Sequence, residues 1–139
     1  MNTASIADFM TKDFATIRPD MPVVQAARRL ARYRILGGPV VDTEGRLLGW
    51  ISEQECLQVA IQVAYYNQRV ATVRDIMRTD VLSVTPETDP MTLAQQMLGD
   101  KPKSYPVVEA GGKVIGVITR RHILKLLDKL MTLALSRSA

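Results

Sequence analysis

The chain holds one histidine and one cysteine, His122 and Cys56, and each lies where a run of β-type residues gives way to a helical one. In Gly116-Val-Ile-Thr119-Arg120-Arg121-His122, a hydroxyl, two guanidinium groups and an imidazole stand close together. In Gly49-Trp-Ile-Ser52-Glu53-Gln-Glu55-Cys56, a hydroxyl and two carboxylates stand beside the thiol. Such sets raise nucleophilic catalysis, metal binding and anion recognition as candidate chemistries. A Ser–His–acid triad can be assembled on paper, but no nucleophile elbow or oxyanion loop accompanies it. A Cys–His pair would need Cys56 beside His122. One cysteine excludes an internal disulfide and a multi-cysteine metal site, and no histidine-rich or Asp-x-Asp spacing replaces it. There is no glycine-rich phosphate loop. Catalysis and metal binding are therefore not expected. Anion recognition survives, because the free N–H groups of a helix start beside Arg120 and Arg121 make a good anion site. The bland alternative is that both arginines reach solvent or pair with acids.

The elements that carry these residues come in duplicate. The stretch IADFMTKDFATIRPDMPVVQAA from Ile6 aligns without a gap on VRDIMRTDVLSVTPETDPMTLA from Val73. At the same offset, GGPVVDTEGRLLGWISEQECL from Gly37 aligns on SYPVVEAGGKVIGVITRRHIL from Ser104. Identities include Met10/Met77, Pro19/Pro86, Pro39/Pro106, Val40/Val107, Gly45/Gly112 and Gly49/Gly116. A fixed-period match of this kind marks one unit, duplicated.

Each copy begins with a β-rich run (Phe14 to Ile17; Val81 to Val84) followed by Pro19 or Pro86. Asp20-Met-Pro22 and Asp89-Pro90 then predict a helix start with proline in the first turn, where its missing N–H costs nothing. Val23, Ala26, Ala27 and Leu30 in one copy, and Leu93, Ala94, Met97 and Leu98 in the other, follow at helical spacing, the second ending near Gly99. Two apolar runs then join through Asp42-Thr-Glu-Gly45 or Glu109-Ala-Gly-Gly112, which predicts a hairpin with the shared glycine at positive φ. A helix closes each copy. The predicted class is mixed α+β, two tandem β-α-β-β-α repeats: residues 6–57, a helical linker over 58–72, residues 73–124, and a C-terminal helix and tail over 125–139. Tyr65 and Tyr66 in the linker are expected to pack between the repeats. The final helix shows a wide apolar face of Ile123, Leu126, Leu127, Leu130, Leu133 and Ala134, a pattern of buried core or of a subunit contact.

Composition sets outer limits. The 139 residues are 47% hydrophobic with a formal charge of +4. The most apolar stretch, Ile123 to Leu135, is broken by Lys125, Asp128 and Lys129, so no membrane span is expected. The single cysteine, Cys56, makes the cytoplasm the expected compartment, and Met1 to Asp8 lacks a basic start and an apolar run, so no signal peptide is expected. Basic residues are spread over both copies without interleaved aromatics, so a nucleic-acid partner is not expected. Arg28, Arg29, Arg32 and Arg34 read as a solvated helix face, although Arg34 and Lys103 flank the PVV strands and could reach a phosphate.

DFMTKDFATIRPD and DIMRTDVLSVTPE, PVVD and PVVE, and GWIS and GVIT entering helices resemble the tandem CBS-domain pair, or Bateman module, over Ile6 to Leu135. The resemblance implies a non-catalytic regulatory module with pseudo-twofold symmetry, its small sheets facing each other across two clefts. It implies a regulatory ligand there, AMP, ADP, ATP or S-adenosylmethionine, no required cofactor, a disc-like homodimer and a regulated partner protein of unknown identity. The alternative is a ligand-free adaptor or dimerisation protein with degenerate sites.

The family's ligand motif, Gly-x-x-Ser/Thr-x-x-Asp, falls on the last strand-to-helix turn of each copy. By resemblance, Ser52 and Thr119 face phosphate or ribose. Backbone at Gly38, Pro39 and Val40, and at Tyr105, Pro106 and Val107, meets the adenine edge, and Thr16 and Ser83 complete the clefts. The motif aspartate is replaced by Glu55 in one copy and His122 in the other. Glu55 is still an acceptor-only carboxylate able to hold a ribose, yet Ser52-x-x-Glu55 is equally a helix capping box. Neutral His122 offers one acceptor and one donor, a weaker ribose clamp, with Arg120 and Arg121 compensating toward phosphate.

Overall fold

The computed structural model describes residues 4–66 and 71–138. In chain order the elements are α1 (Ile6–Phe9), α2 (Val23–Leu30), β1 (Gly37–Val41), β2 (Leu47–Ser52), α3 (Glu53–Tyr66), α4 (Val73–Ile76), α5 (Pro90–Leu98), β3 (Ser104–Val108), β4 (Val114–Thr119) and α6 (Arg120–Ser138). The mixed α+β class holds, with β1 paired to β2 and β3 to β4 in two two-stranded sheets. The turn glycines behave as predicted: Gly45 has φ +82° and Gly112 φ +87°, a region costly for residues with a Cβ.

The β-rich runs that open each copy shrink to single bridges. Ile17 lies parallel to Val40 and Val84 parallel to Val107. Ile17 N–H donates to Pro39 O (3.2 Å) and Val41 N–H donates to Ile17 O (2.8 Å). Val84 N–H and Val108 N–H repeat the pattern at 3.0 and 2.8 Å. Pairing stops there because Pro19 and Pro86 follow, each without an N–H. Pro90 opens α5 as predicted, with Asp89 accepting from Thr92 N–H at 3.1 Å. Pro22 instead occupies the residue before α2, in extended conformation with ψ 141°.

Two compact units form, and each draws its leading segment from the other copy of the sequence. One contains the N-terminal segment through Lys12, Ser83–Glu109 and the chain from Ile115 onward. Its core joins Ile6 of α1 to Val84, Leu93, Met97, Tyr105, Val107, Ile118 and Ile123. Thr11 and Val117 exchange backbone hydrogen bonds of 2.9 and 3.0 Å. The other contains Asp13–Leu82 and Ala110–Val114. Val73 of α4 joins Ile17, Val23, Ala26, Leu30, Val40, Ile51, Cys56 and Val59, and Arg78 and Trp50 exchange bonds of 2.9 Å each.

The methionine–glycine identities of the repeat now have a reason. A Cβ on Gly116 would lie 2.5 Å from Met10 Sδ, and one on Gly49 would collide with the Arg78 carbonyl oxygen and approach Met77 Sδ to 3.1 Å. Met10 therefore covers Gly116, and Met77 covers Gly49. Each pairing joins a leading segment to the last strand of the opposite copy.

One helix expectation is met as buried core only in part, and one is corrected. Ile123 and Leu126 of α6 are buried and Leu127 and Leu130 half-buried, but Leu133 and Ala134 are exposed. The apolar face thus outruns the core that covers it. Tyr65 is 82% exposed rather than packed, because α3 turns Cys56, Val59 and Val63 inward and Tyr65 falls on the far side of a 3.6-residue period. The Tyr66 side chain lies outside the described residues. Among the described residues no helix is long and apolar enough to cross a membrane.

Candidate ligand site

Each unit gathers one complete set of the predicted positions. In the first, β2 delivers Ser52 to the start of α3, opposite Gly37 of β1. The orphan N–H of Glu53 is taken by Leu36 O at 2.9 Å. Ser52 N–H and Ser52 Oγ both donate to Glu55 Oε1, at 2.9 and 3.0 Å, and Glu55 N–H donates to Ser52 Oγ at 3.3 Å. This is the capping box. Glu55 Oε2 faces Arg78 Nε at 3.7 Å, with the Glu55 side chain 19% exposed. Of the two roles open to Glu55, the cap is made, and Oε2 is the oxygen less committed.

The strand beside this turn is buried along its length. Val40 is fully buried, and Pro39 spends its carbonyl on Ile17 N–H. A Cβ on Gly38 would stand 3.0 Å from Ala15 O and 3.2 Å from Leu30 Cδ2, so glycine there serves close packing. Thr16 is exposed next to the bridging Ile17, and its carbonyl accepts from Arg29 Nη1 at 2.9 Å.

In the second unit, β4 delivers Thr119 to the start of α6. Thr119 N–H donates to His122 Nδ1 at 3.0 Å, Thr119 Oγ1 lies 3.0 Å from the same nitrogen, and His122 N–H donates to Thr119 Oγ1 at 3.3 Å. The histidine thus performs the capping task of Glu55. Burial, Lys125 and Arg121 all hold its pKa below the ordinary value. Arg120 and Arg121 are exposed, and neither forms an ion pair among the described residues. Ser83 is exposed beside the bridging Val84. Tyr105 and Val107 belong to the core, and Pro106 O accepts from Val84 N–H. The buried Tyr105 hydroxyl has no hydrogen-bond partner among the described residues, and burial pushes its pKa up.

Lys103 does not have the freedom its sequence position suggests. Its Nζ donates to the carbonyls of Met97 (2.7 Å), Gly99 (2.6 Å) and Lys101 (3.1 Å). All three ammonium donors are spent closing α5, as helix C-termini favour. Arg34 is exposed. Arg29, expected on a solvated helix face, instead donates to the Thr16 carbonyl, and Arg78, facing Glu55, carries no signal in the sequence. Only the exchange of leading segments puts Arg78 there, and no local motif signals it. Among the described residues no three His, Cys, Asp or Glu side chains converge to hold a metal ion.

The arrangement is that of a duplicated α+β module, with a hydroxyl-bearing turn at the start of the closing helix in each half. The chain belongs to the CBS domain family, which matches residues 6–61 and 73–129. It is similar to the Arabidopsis thaliana CBS-pair protein CBSX2, solved in complex with AMP, at 26% identity and a TM-score of 0.78, covering 91% of this chain and 98% of that one. The CBS domain pair of protein MJ0100, solved with 5'-methylthioadenosine and S-adenosyl-L-methionine, matches with a TM-score of 0.74 at 23% identity, over 90% and 96% of the two chains. Inosine-5'-monophosphate dehydrogenase of Methanocaldococcus jannaschii is 30% identical over 85% of this chain, which spans only 22% of that enzyme's length.

Proposed function

We propose that this chain is a non-catalytic regulatory module that binds an adenosyl ligand at its strand-to-helix turns and reports the ligand to a partner protein. The observation that carries the reading is the repetition of one arrangement in both units: a hydroxyl at the helix start (Ser52, Thr119), a proline-containing strand beside it (Gly38–Val40, Tyr105–Val107) and an exposed hydroxyl on the bridging segment (Thr16, Ser83). The AMP complex of a CBS pair at 26% identity supports the ligand class. The turn with Thr119 favours the phosphorylated ligands, AMP, ADP and ATP, because Arg120 and Arg121 form no ion pair among the described residues and stand at a helix start. At the turn with Ser52, Glu53 stands where Arg120 stands in the other copy and opposes phosphate, so S-adenosylmethionine is the better match. A cytoplasmic homodimer completes the proposal. Leu57, Ile61 and Tyr65 on one face of α3, with Leu124, Met131 and Leu135 on α6, leave exposed apolar surface for a second copy.

A thermal-shift titration with AMP, ATP and S-adenosylmethionine tests this, since a ligand of the native state raises stability by mass action. A saturable rise with at least one compound supports the reading. No rise with any of them up to millimolar concentration refutes it. One observation favours the second reading, a ligand-free adaptor: both residues at the aspartate position, Glu55 and His122, are engaged in caps. That reading expects a dimer by light scattering and no ligand response.

A further inference from the structure

Among the described residues, four helices open with the same reciprocal device. Asp8 reaches back to Ser5, Asp75 to Thr72 and Glu55 to Ser52, and at α6 the acceptor is His122. A carboxylate accepts at any pH above its own low pKa, but an imidazole accepts only while neutral. The Thr119 backbone N–H can only donate. Nδ1 therefore carries no proton, and the proton of the neutral ring sits on Nε2. Protonation would set an Nδ1–H against the Thr119 N–H at a separation of 3.0 Å.

Among the described residues no anionic group faces the imidazolium; its Nδ1–H would find only the Thr119 hydroxyl oxygen, at 3.0 Å, while the Thr119 amide loses its acceptor. The charges acting on it are Lys125 and Arg121, both cationic and both on α6 itself, and the positive end of the α6 dipole adds to them. Of the elements packed on α6, α5 carries no titratable side chain, and β3 carries only Tyr105, a core residue whose pKa burial pushes up. In α1 the one such group, Asp8, accepts from Ser5. Lys129 stands over the Phe9 ring, and the Lys103 ammonium is held by carbonyls.

We propose that His122 is a proton-operated cap: taking up one proton releases the Thr119 amide, loosens the first turn of α6 and adds a third positive charge beside Arg120 and Arg121. The folded-state pKa is depressed from the ordinary 6.5, so the contribution is complete above that value and is lost as pH falls below it. The turn so controlled is the one to which the ligand reading assigns Thr119 and Arg120. Any effect on a ligand rests on that reading, whereas the cap does not.

The test uses the 15N-labelled full chain without ligand, where a single histidine makes the imidazole signals unambiguous. At pH 7.5 the ring is the Nε2–H tautomer. On acidification the Thr119 amide and the imidazole shift with one common midpoint below 6.5. His122→Glu copies the box at Ser52 and abolishes that step. From pH 7.5 to 5, the unfolding equilibrium constant of the parent rises about fivefold relative to His122→Glu, the effect of one lost cap. An Nδ1–H tautomer at pH 7.5, or a Thr119 amide indifferent to the imidazole titration, overturns the proposal whatever the variant does.

Discussion

Adding one methyl group at the two equivalent glycines of the final strands should have unequal effects. In Gly49→Ala the new Cβ meets the Arg78 carbonyl oxygen, a backbone atom, with Met77 Sδ at 3.1 Å. Arg78 is held by two 2.9 Å hydrogen bonds to Trp50, so relief requires moving a paired backbone. That places the cost at the upper end of overpacking, about 3 kcal/mol. In Gly116→Ala the nearest atoms are Met10 Sδ at 2.5 Å and Cγ at 2.9 Å, with Thr11 O at 3.1 Å. A thioether side chain has three rotatable bonds and can swing away, for about 1 kcal/mol. At about 3 °C per kcal/mol for a chain of this size, the melting temperature falls roughly 9 °C in the first variant and 3 °C in the second. Urea unfolding monitored by circular dichroism gives the free energies directly. A Gly116→Ala/Met10→Ala double variant should lose about 1 kcal/mol less than the sum of its singles, because removing the thioether removes the clash. A Gly116→Ala loss as large as that of Gly49→Ala, or strict additivity in the cycle, would refute the packing of each leading segment on the opposite copy's strand.

Three further outcomes follow from the site geometry. Replacing Arg120 and Arg121 together by alanine should weaken ATP by about tenfold, the worth of one charge-assisted contact, while adenosine binding stays within a factor of two or so; calorimetric titration that finds equal losses excludes the phosphate role. Lys103→Met should cost about 1–2 kcal/mol by stripping donors from three carbonyls and leave nucleotide affinity unchanged, so a selective affinity loss at unchanged stability would contradict its role as a helix cap. Hydrogen bonds from Thr92 hold the Asp89 carboxyl below its ordinary value of 3.8. Its contribution is therefore present above that pH and lost as pH falls; Asp89→Asn should flatten the acid limb of a stability–pH profile, and an unchanged limb would show the α5 cap to be energetically silent.

Much of the fold was legible because the chain states it twice. The hairpins could be read from Gly45 and Gly112, which must take positive φ, and the helices from apolar spacing bounded by Asp89-Pro90 and Gly99. What escaped depends on long-range packing. Nothing local in DFM or DIM reveals that Ile6 and Val73 enter the core beside the other copy's strands. Nor could spacing show that Lys103 folds back on three carbonyls, since a lysine near a strand looks the same whether it reaches solvent or a helix end. Tyr65 was misjudged because an aromatic residue suggests burial, whereas helical phase decides it. At the candidate site, Ser52-x-x-Glu55 was readable as a capping box. The equivalent role of His122 became clear only with Nδ1 seen at 3.0 Å from the Thr119 amide.

The most direct test of the central claim is a crystal structure of the chain grown with AMP. The account predicts adenosine density along the backbone of Tyr105–Val107, with its phosphate on Thr119 and the first N–H groups of α6 beside Arg120. AMP bound away from both hydroxyl-bearing turns, or no AMP in crystals grown at millimolar nucleotide, would contradict it.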